Sequence, residues 1–262
     1  MKKIIFFQAH PDDLEFFCAH LLHYLAQKDN IYEIKIASLT KGEFSTPPHK
    51  YAHFKGERLG KIRARELIQA EKIHGIKPEH IHFFGILDQM VKFDKDTVEL
   101  VRNYLYKEKP SIIFAPEPIN TYYRHQDHIA IGKILYYIYD KKIIDENPKL
   151  YYFAPLNPNF YWPFAKTDIS FAFKMIDIHK SQNWMMKYLK PLYIIIGKFY
   201  GRNIKGWKYA EGYRRVFYRE EKHKNKKLTF LMNCLNFLAL KLFPKDLSKY
   251  VPIPDHLKDN KD

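Results

Sequence analysis

Short apolar runs alternate along this chain with longer stretches whose apolar residues recur every three or four positions. "KIIFFQ" (3–8), "YEIKIASLT" (32–40), "HIHFFGI" (80–86) and "SIIFAP" (111–116) are rich in β-branched and aromatic residues, which predicts buried strands. Between and after them, residues 14–28, 57–75, 95–108 and 127–141 predict helices. The second of these carries Leu59, Ile62, Leu67, Ala70 and Ile73 at helical spacing, with Gly75 as its stop. "PPHKYAHFKG" (47–56) predicts a loop. Strand followed by helix, four times over, predicts an α/β fold with a mostly parallel sheet and helices on both faces. Beyond about residue 160 the pattern is less regular.

In such a sheet the ligand crevice lies outside the carboxyl ends of the strands. Polar segments follow each predicted strand: "HPDD", "TKGE", "LDQ" and "NTYYRHQDH". Residues distant in sequence are therefore expected to meet on one rim. "HPDD" (10–13) and "HQDH" (125–128) together bring His10, His125, His128, Asp12, Asp13 and Asp127 to it. Acids crowded at a strand end raise one another's pKa and lose solvation. A divalent cation turns that repulsion into attraction. A catalytic zinc site uses about three nitrogen or oxygen ligands and an open position. With two adjacent aspartates, one can bind the metal while the other takes a proton from water.

The segments "AHPDDLE", "LTKGE", "RARE" and "HQDHIAIG" resemble those of the LmbE/PIG-L family of zinc-dependent de-N-acetylases. The similarity continues through "FFGILDQ", "HKSQ" (179–182) and "KYAEGYRRV" (208–216), in order, from residue 4 to about 217. The resemblance implies a Rossmann-like fold and removal of an acetyl group from an N-acetylated amino sugar. It implies His10, Asp13 and His128 as zinc ligands, with another divalent metal as the alternative. It implies Asp12 as general base, His125 as stabiliser of the oxyanion, and Asp127 as a group that orients a neighbouring histidine. Arg63 stands at the family-like arginine position; it reads either as a substrate contact or as an exposed helix arginine. Asp88 reads as a ligand for sugar hydroxyls or as an ordinary turn residue. Tyr122 and Tyr123 either line the pocket or pack beneath it. Glu15 is expected to favour the start of the following helix. His20, His23, His74, His80 and His82 read as structural or solvated. His179 and Glu211 fall in family-like motifs without an assigned chemistry.

Charge changes the picture for partners rather than for fold. Lys and Arg number 44 against 29 acids, a net charge of +15, which favours anionic partners. No nucleic-acid reading motif is present, so nucleic acid is not expected. Two cysteines, Cys18 and Cys234, exclude a disulfide framework and suit a reducing, cytoplasmic compartment. The apolar run after the initial "MKK" is too short for a signal-peptide core. Residues 1–217 are expected to form the deacetylase-like domain, and 218–262 a basic, aromatic-rich extension. In that extension "KHKNKK" (222–227) precedes the apolar run "LTFLMNCLNFLALKLF" (228–243). The run is short for the ~30 Å hydrocarbon core, so it reads either as a helix packed on the core or as an element lying on the inner face of an anionic membrane. The leading functional expectation is zinc-dependent deacetylation of an N-acetyl amino-sugar conjugate, lipid-linked or otherwise anionic. The alternatives are a metal-dependent glycosyltransferase and a non-catalytic membrane-surface protein. Oligomeric state is not legible in the sequence.

Overall fold

The computed structural model describes residues 1–45, 49–144 and 147–217. The apolar run 228–243 and the proposed 218–262 extension lie outside the described residues. The elements follow the order β1 (Lys2–Gln8), α1 (Asp13–Phe17), α2 (Ala19–Ala26), β2 (Tyr32–Ser38), α3 (Glu57–His74), β3 (Ile81–Phe83), α4 (Lys95–Glu108), β4 (Ile112–Pro116), α5 (Gln126–Asp140) and β5 (Lys149–Phe153). They continue with β6 (Phe160–Phe164), α6 (Ile169–Ile176), α7 (Asn183–Gly201) and β7 (Tyr209–Arg215). The seven strands form one sheet in the order β3-β2-β1-β4-β5-β7-β6. β3, β2, β1, β4 and β5 are parallel, while β7 pairs antiparallel with β5 and β6.

β1 shows why the sheet is covered on both sides. Ile4 and Phe6 enter one apolar cluster, with Leu14, Leu22 and Leu67. Ile5 and Phe7 enter the other, with Ile131, Ile134 and Leu135 of α5. Successive side chains of a strand point to opposite faces, so an unbroken apolar run needs two cores. The order reverses between β1 and β4, and the crevice of an open α/β sheet opens at such a point.

Four local expectations need correction. The helix expected over 14–28 is broken at Cys18, whose backbone leaves helical geometry and joins α1 to α2. The loop at 47–56 contains a short 3-10 helix at His49–Phe54. The strand expected over 80–86 ends at Phe83, although Phe84 and Ile86 still donate backbone hydrogen bonds to Ser38 and Leu39. Within the described residues the region beyond 160 is regular: from 160 to 215, two strands and two helices extend the sheet on its β5 side. The stop at Gly75 is present, in the left-handed conformation with φ 91°.

Away from the rim, His20 and His23 of α2 and His74 of α3 gather around Phe171 of α6. Both ring nitrogens of His74 are buried without a hydrogen-bond partner. Burial lowers the pKa of His74 to about 3 and that of His20 to about 4. Each native pKa lies below the unfolded value, so the folded protein binds fewer protons between these values and ~6.5. Stability is therefore complete above pH ~6.5 and falls as pH drops toward 4, by on the order of a few kcal/mol. His74→Leu should flatten this fall. Denaturant titrations at pH 7, 5.5 and 4.5 check it; parallel losses in both proteins would reject the assignment to His74.

Candidate active site

The loop after β1 and the N-terminus of α5, just beyond β4, meet at the reversal point. α5 reaches it because Gly132 has no side chain: a Cβ there would stand 2.5 Å from the Pro116 carbonyl. His10, Asp13 and His128 are all buried. His128 Nε2 lies 3.1 Å from Asp13 Oδ1 and 3.3 Å from His10 Nδ1, and His10 Nδ1 lies 3.8 Å from Asp13 Oδ1. Three ligands on a tetrahedral zinc ion with bonds of ~2.0–2.1 Å stand ~3.3 Å apart. The two imidazoles and the carboxylate thus fit a divalent metal in spacing and in donor type. The second Asp13 oxygen accepts from the amides of Ala9 and His10, at 2.9 and 3.0 Å, so the loop's own backbone aims the first oxygen at the histidines.

His10 is oriented from behind. Its Nε2 lies 3.1 Å from Asp88 Oδ1 and 3.3 Å from Asp127 Oδ2. A carboxylate on the far nitrogen fixes the tautomer that presents Nδ1 to a metal. Asp127 is held in turn by the amides of Gln89 and Val91, the former at 2.7 Å. Gln89 takes φ 68° to offer that amide. Burial opposes charge on His10, but Asp88, Asp127 and Asp13 outweigh it and hold its pKa well above the ordinary value. Burial likewise opposes the Asp13 carboxylate, and His128 and His10 overcome it, holding its pKa well below the usual range. Burial also works against ionised Asp88, but His10 brings its pKa down to about 2. The buried acids and histidines of this pocket thus stabilise one another's charged forms.

Asp12 turns the other way. Its Oδ1 accepts from Arg63 Nη2 at 2.8 Å, and Arg63 Nη1 donates to the Gly42 carbonyl. Arg63 is 2% exposed, which overturns the reading of an exposed helix arginine. Gly42 makes the contact with φ 66°; a Cβ there would lie 1.9 Å from Arg63 Nη1. His125 caps α5, its Nδ1 accepting from the Asp127 amide at 3.2 Å, which leaves Nε2 as the nitrogen able to meet a ligand. Burial, then His10 and His128, lowers the His125 pKa well below its usual value. Tyr123 packs its ring 4.8 Å from that of His128. Asp88 is not on the open rim; it lies buried under His10 and accepts from the Phe44 amide.

Three buried acids have partners that the sequence did not reveal. Glu15, in the first turn of α1, points inward to His179 Nε2 at 3.3 Å. Glu66 accepts from the amide and hydroxyl of Ser181, tying "HKSQ" to α3. Glu211 of β7 accepts from the amides of His20 and Leu21 at the start of α2, and from the Tyr213 hydroxyl. Burial pushes its pKa up to about 7 against these three donors. The only trace of these roles in sequence was that Glu15, Glu66, His179, Ser181 and Glu211 fall within family-like motifs.

Residues 5–139 match the family model for PIG-L, GlcNAc-PI de-N-acetylase. The chain belongs to the PIG-L family. This makes it an enzyme of the hydrolase class, a carbohydrate N-deacetylase by descent, and removes the glycosyltransferase and non-catalytic readings. Diacetylchitobiose deacetylase of Thermococcus kodakarensis is 26% identical over 233 residues, covering 82% of this chain and 84% of that protein. The solved N,N'-diacetylchitobiose deacetylase of Pyrococcus horikoshii, in complex with an inhibitor, has a TM-score of 0.69 at 24% identity, covering 82% of this chain and 84% of its own. GalB of Pseudomonas putida, a 4-carboxy-2-hydroxymuconate hydratase, has a TM-score of 0.65 at 19% identity, covering 85% and 99%. The Rossmann-like expectation is met by this PIG-L fold. Since a hydratase shares it, the shape alone does not name the reaction.

Proposed function

We propose that this PIG-L family member hydrolyses the acetamide of an N-acetyl amino-sugar conjugate, releasing acetate and a free amine, with zinc as its metal. The observation that carries the reading is the His10–Asp13–His128 cluster with Asp12 and His125 directly beside it. His10, Asp13 and His128 would hold a divalent ion, which would supply Lewis acidity toward the amide carbonyl and toward water. Asp12 takes the proton as water attacks the carbonyl carbon. Arg63 fixes the Asp12 carboxylate in place. His125 Nε2 hydrogen-bonds the oxyanion as it develops. Asp12 then passes that proton to the departing nitrogen, which prevents expulsion of an amide anion. Asp127 and Asp88 hold His10 rather than touch the reacting atoms. In this reading Arg63 and Tyr123 meet the sugar as it enters, and Asp88 acts on it only through the loop it anchors at Phe44.

A lipid-linked or anionic glycoconjugate at an inner membrane surface is the finer reading. The net charge of +15 and the basic-apolar order of 222–243 support it. Among the described residues no helix is long and apolar enough to cross a membrane. Acetate release should be measured with a panel of N-acetylglucosamine conjugates, with and without chelator. Chelator-sensitive release is expected from at least one member; release from none would reject the activity. The full chain should also float with anionic liposomes at low salt and less so at high salt. A chain that stays below would remove the membrane surface and leave the hydrolysis intact.

A further inference from the structure

Between α6 and α7 the chain passes through "HKSQ", which ends in one turn of 3-10 helix at Lys180–Gln182. His179, Ser181 and Gln182 are all fully buried, and they reach three different segments. His179 Nε2 lies 3.3 Å from Glu15 Oε2 of α1. Ser181 donates to Glu66 of α3, from its amide at 2.9 Å and from its hydroxyl at 2.5 Å. Gln182 Nε2 donates to the Ser45 hydroxyl, in the loop after β2, at 3.0 Å. The His179 amide donates to the Ile176 carbonyl and the Gln182 amide to the His179 carbonyl, so one closed turn carries all three side chains.

The two acids stand in matching places. Glu15 follows Asp12 by three residues, and Glu66 follows Arg63 by three. Three residues make about one helical turn, so each acid lies one turn behind one partner of the Asp12–Arg63 contact. On the other side of Arg63, Gly60 lets the loop after β2 lie against α3: a Cβ there would stand 2.8 Å from Glu43 Cγ. That loop presents the Gly42 carbonyl to Arg63 Nη1. "HKSQ" therefore touches the segment that carries the carboxylate, the helix that carries the guanidinium and the loop that receives its other bond. Leu59, Leu67 and Ala70 bury the inner face of α3, but hydrophobic contact has no direction and does not fix a helix along its axis. Arg63 Nε is buried without a hydrogen-bond partner, so two directional bonds aim the guanidinium and it follows its helix. Burying Glu15 and Glu66 costs solvation, and an apolar filler of the same shape would be no less stable. What the polar pairs add is direction. Burial works against charge on His179, but Glu15, then Asp12 and Glu66, outweigh it and raise its pKa. Asp12 thus lies within the electrostatic reach of this imidazole.

Resting on the reading of Asp12 as general base, we propose that His179, Ser181 and Gln182 form a positioning clamp that sets Arg63 against Asp12. These residues touch neither the substrate nor the reacting atoms. In the full-length protein carrying isotope-labelled arginine, the held Arg63 guanidinium should give resolved, slowly exchanging Nη signals by NMR. Arg214, buried with its guanidinium on Glu117, serves as the reference. His179→Gln and Ser181→Ala should broaden the Arg63 signals and leave those of Arg214 unchanged. Should His179→Gln fold poorly, Ser181→Ala, which removes a single hydroxyl, carries the test. Unchanged Arg63 signals overturn the proposal. So does joint loss of both arginines' signals, which marks a merely structural role, and so does the absence of held Arg63 signals in the unaltered protein. Turnover gives a second test. A displacement of ~1 Å can cost ~10²-fold, so kcat should fall about 10- to 100-fold in His179→Gln while KM and metal content hold. In the Asp12→Asn background the same substitution should cost nothing more, because its effect runs through Asp12. Losses that multiply overturn the clamp and leave Asp12 as base. A near-normal kcat in Asp12→Asn alone sinks the reading of Asp12 as base, and the guanidinium signals still decide the clamp.

Discussion

Replacing Asp12 with asparagine should lower kcat by ~10²–10⁴ while the metal content stays near that of the unaltered protein. That range is the usual contribution of a positioned general base. The prediction separates two neighbouring carboxylates that the sequence presents as equals. Asp13 faces His10 and His128, whereas Asp12 faces Arg63. Asparagine keeps an oxygen that can accept from Arg63 Nη2, so the loop should hold its shape. Alanine would instead leave a buried guanidinium without its partner, at a cost of ~3–5 kcal/mol in stability. The measurement is steady-state turnover on a hydrolysed conjugate, paired with metal analysis and a denaturation curve. A near-normal kcat would remove Asp12 from the role of base. Lost metal would place it among the ligands.

Replacing His128 with alanine should abolish stable metal binding and reduce activity to background. Of the three ligands, His128 is the cleanest to remove. Asp13 also holds the amides of Ala9 and His10, and His10 also meets Asp88 and Asp127, so their loss disturbs more than the metal. His128 Nε2 meets only Asp13 and His10 among the polar contacts described. Asp88→Asn should act more mildly, weakening metal affinity by ~10–100-fold, because it changes how firmly His10 is aimed rather than the number of ligands. Metal content after dialysis against weak chelators, read for both variants, checks the order. Full retention in His128→Ala would dismiss the proposed ligand set.

The expectation that polar segments after the strands converge is met at His10, Asp13 and His128, and the reason is geometric. Parallel strands place their carboxyl ends on the same side, so "HPDD" after β1 and "HQDH" after β4 must come together once β1 and β4 are neighbours. That much follows from periodicity and topology. The direction in which each carboxylate points does not. Asp12 and Asp13 differ by one position in a loop, and only the folded backbone decides that one turns to α3 and the other to α5.

The sequence by itself determined four of the five parallel strands, the four helices that follow them and the motifs that carry the chemistry. These depend on local period and on short segments, and hydrophobic burial enforces them wherever the chain packs. The tertiary structure alone decided the β7 and β6 additions, the burial of Arg63, the position of Asp88 beneath His10 and the inward pairing of Glu15 with His179. It also decided how α1, α7 and β7, segments far apart in the chain, assemble an apolar cavity beside Asp12 and Asp13. None of these has a local signature. Each arises because a side chain's surroundings are set by what lies across the sheet or the neighbouring helix. The aromatic and lysine-rich pattern of 183–215 resembles a surface until β7 inserts beside β5 and makes it a wall of the site.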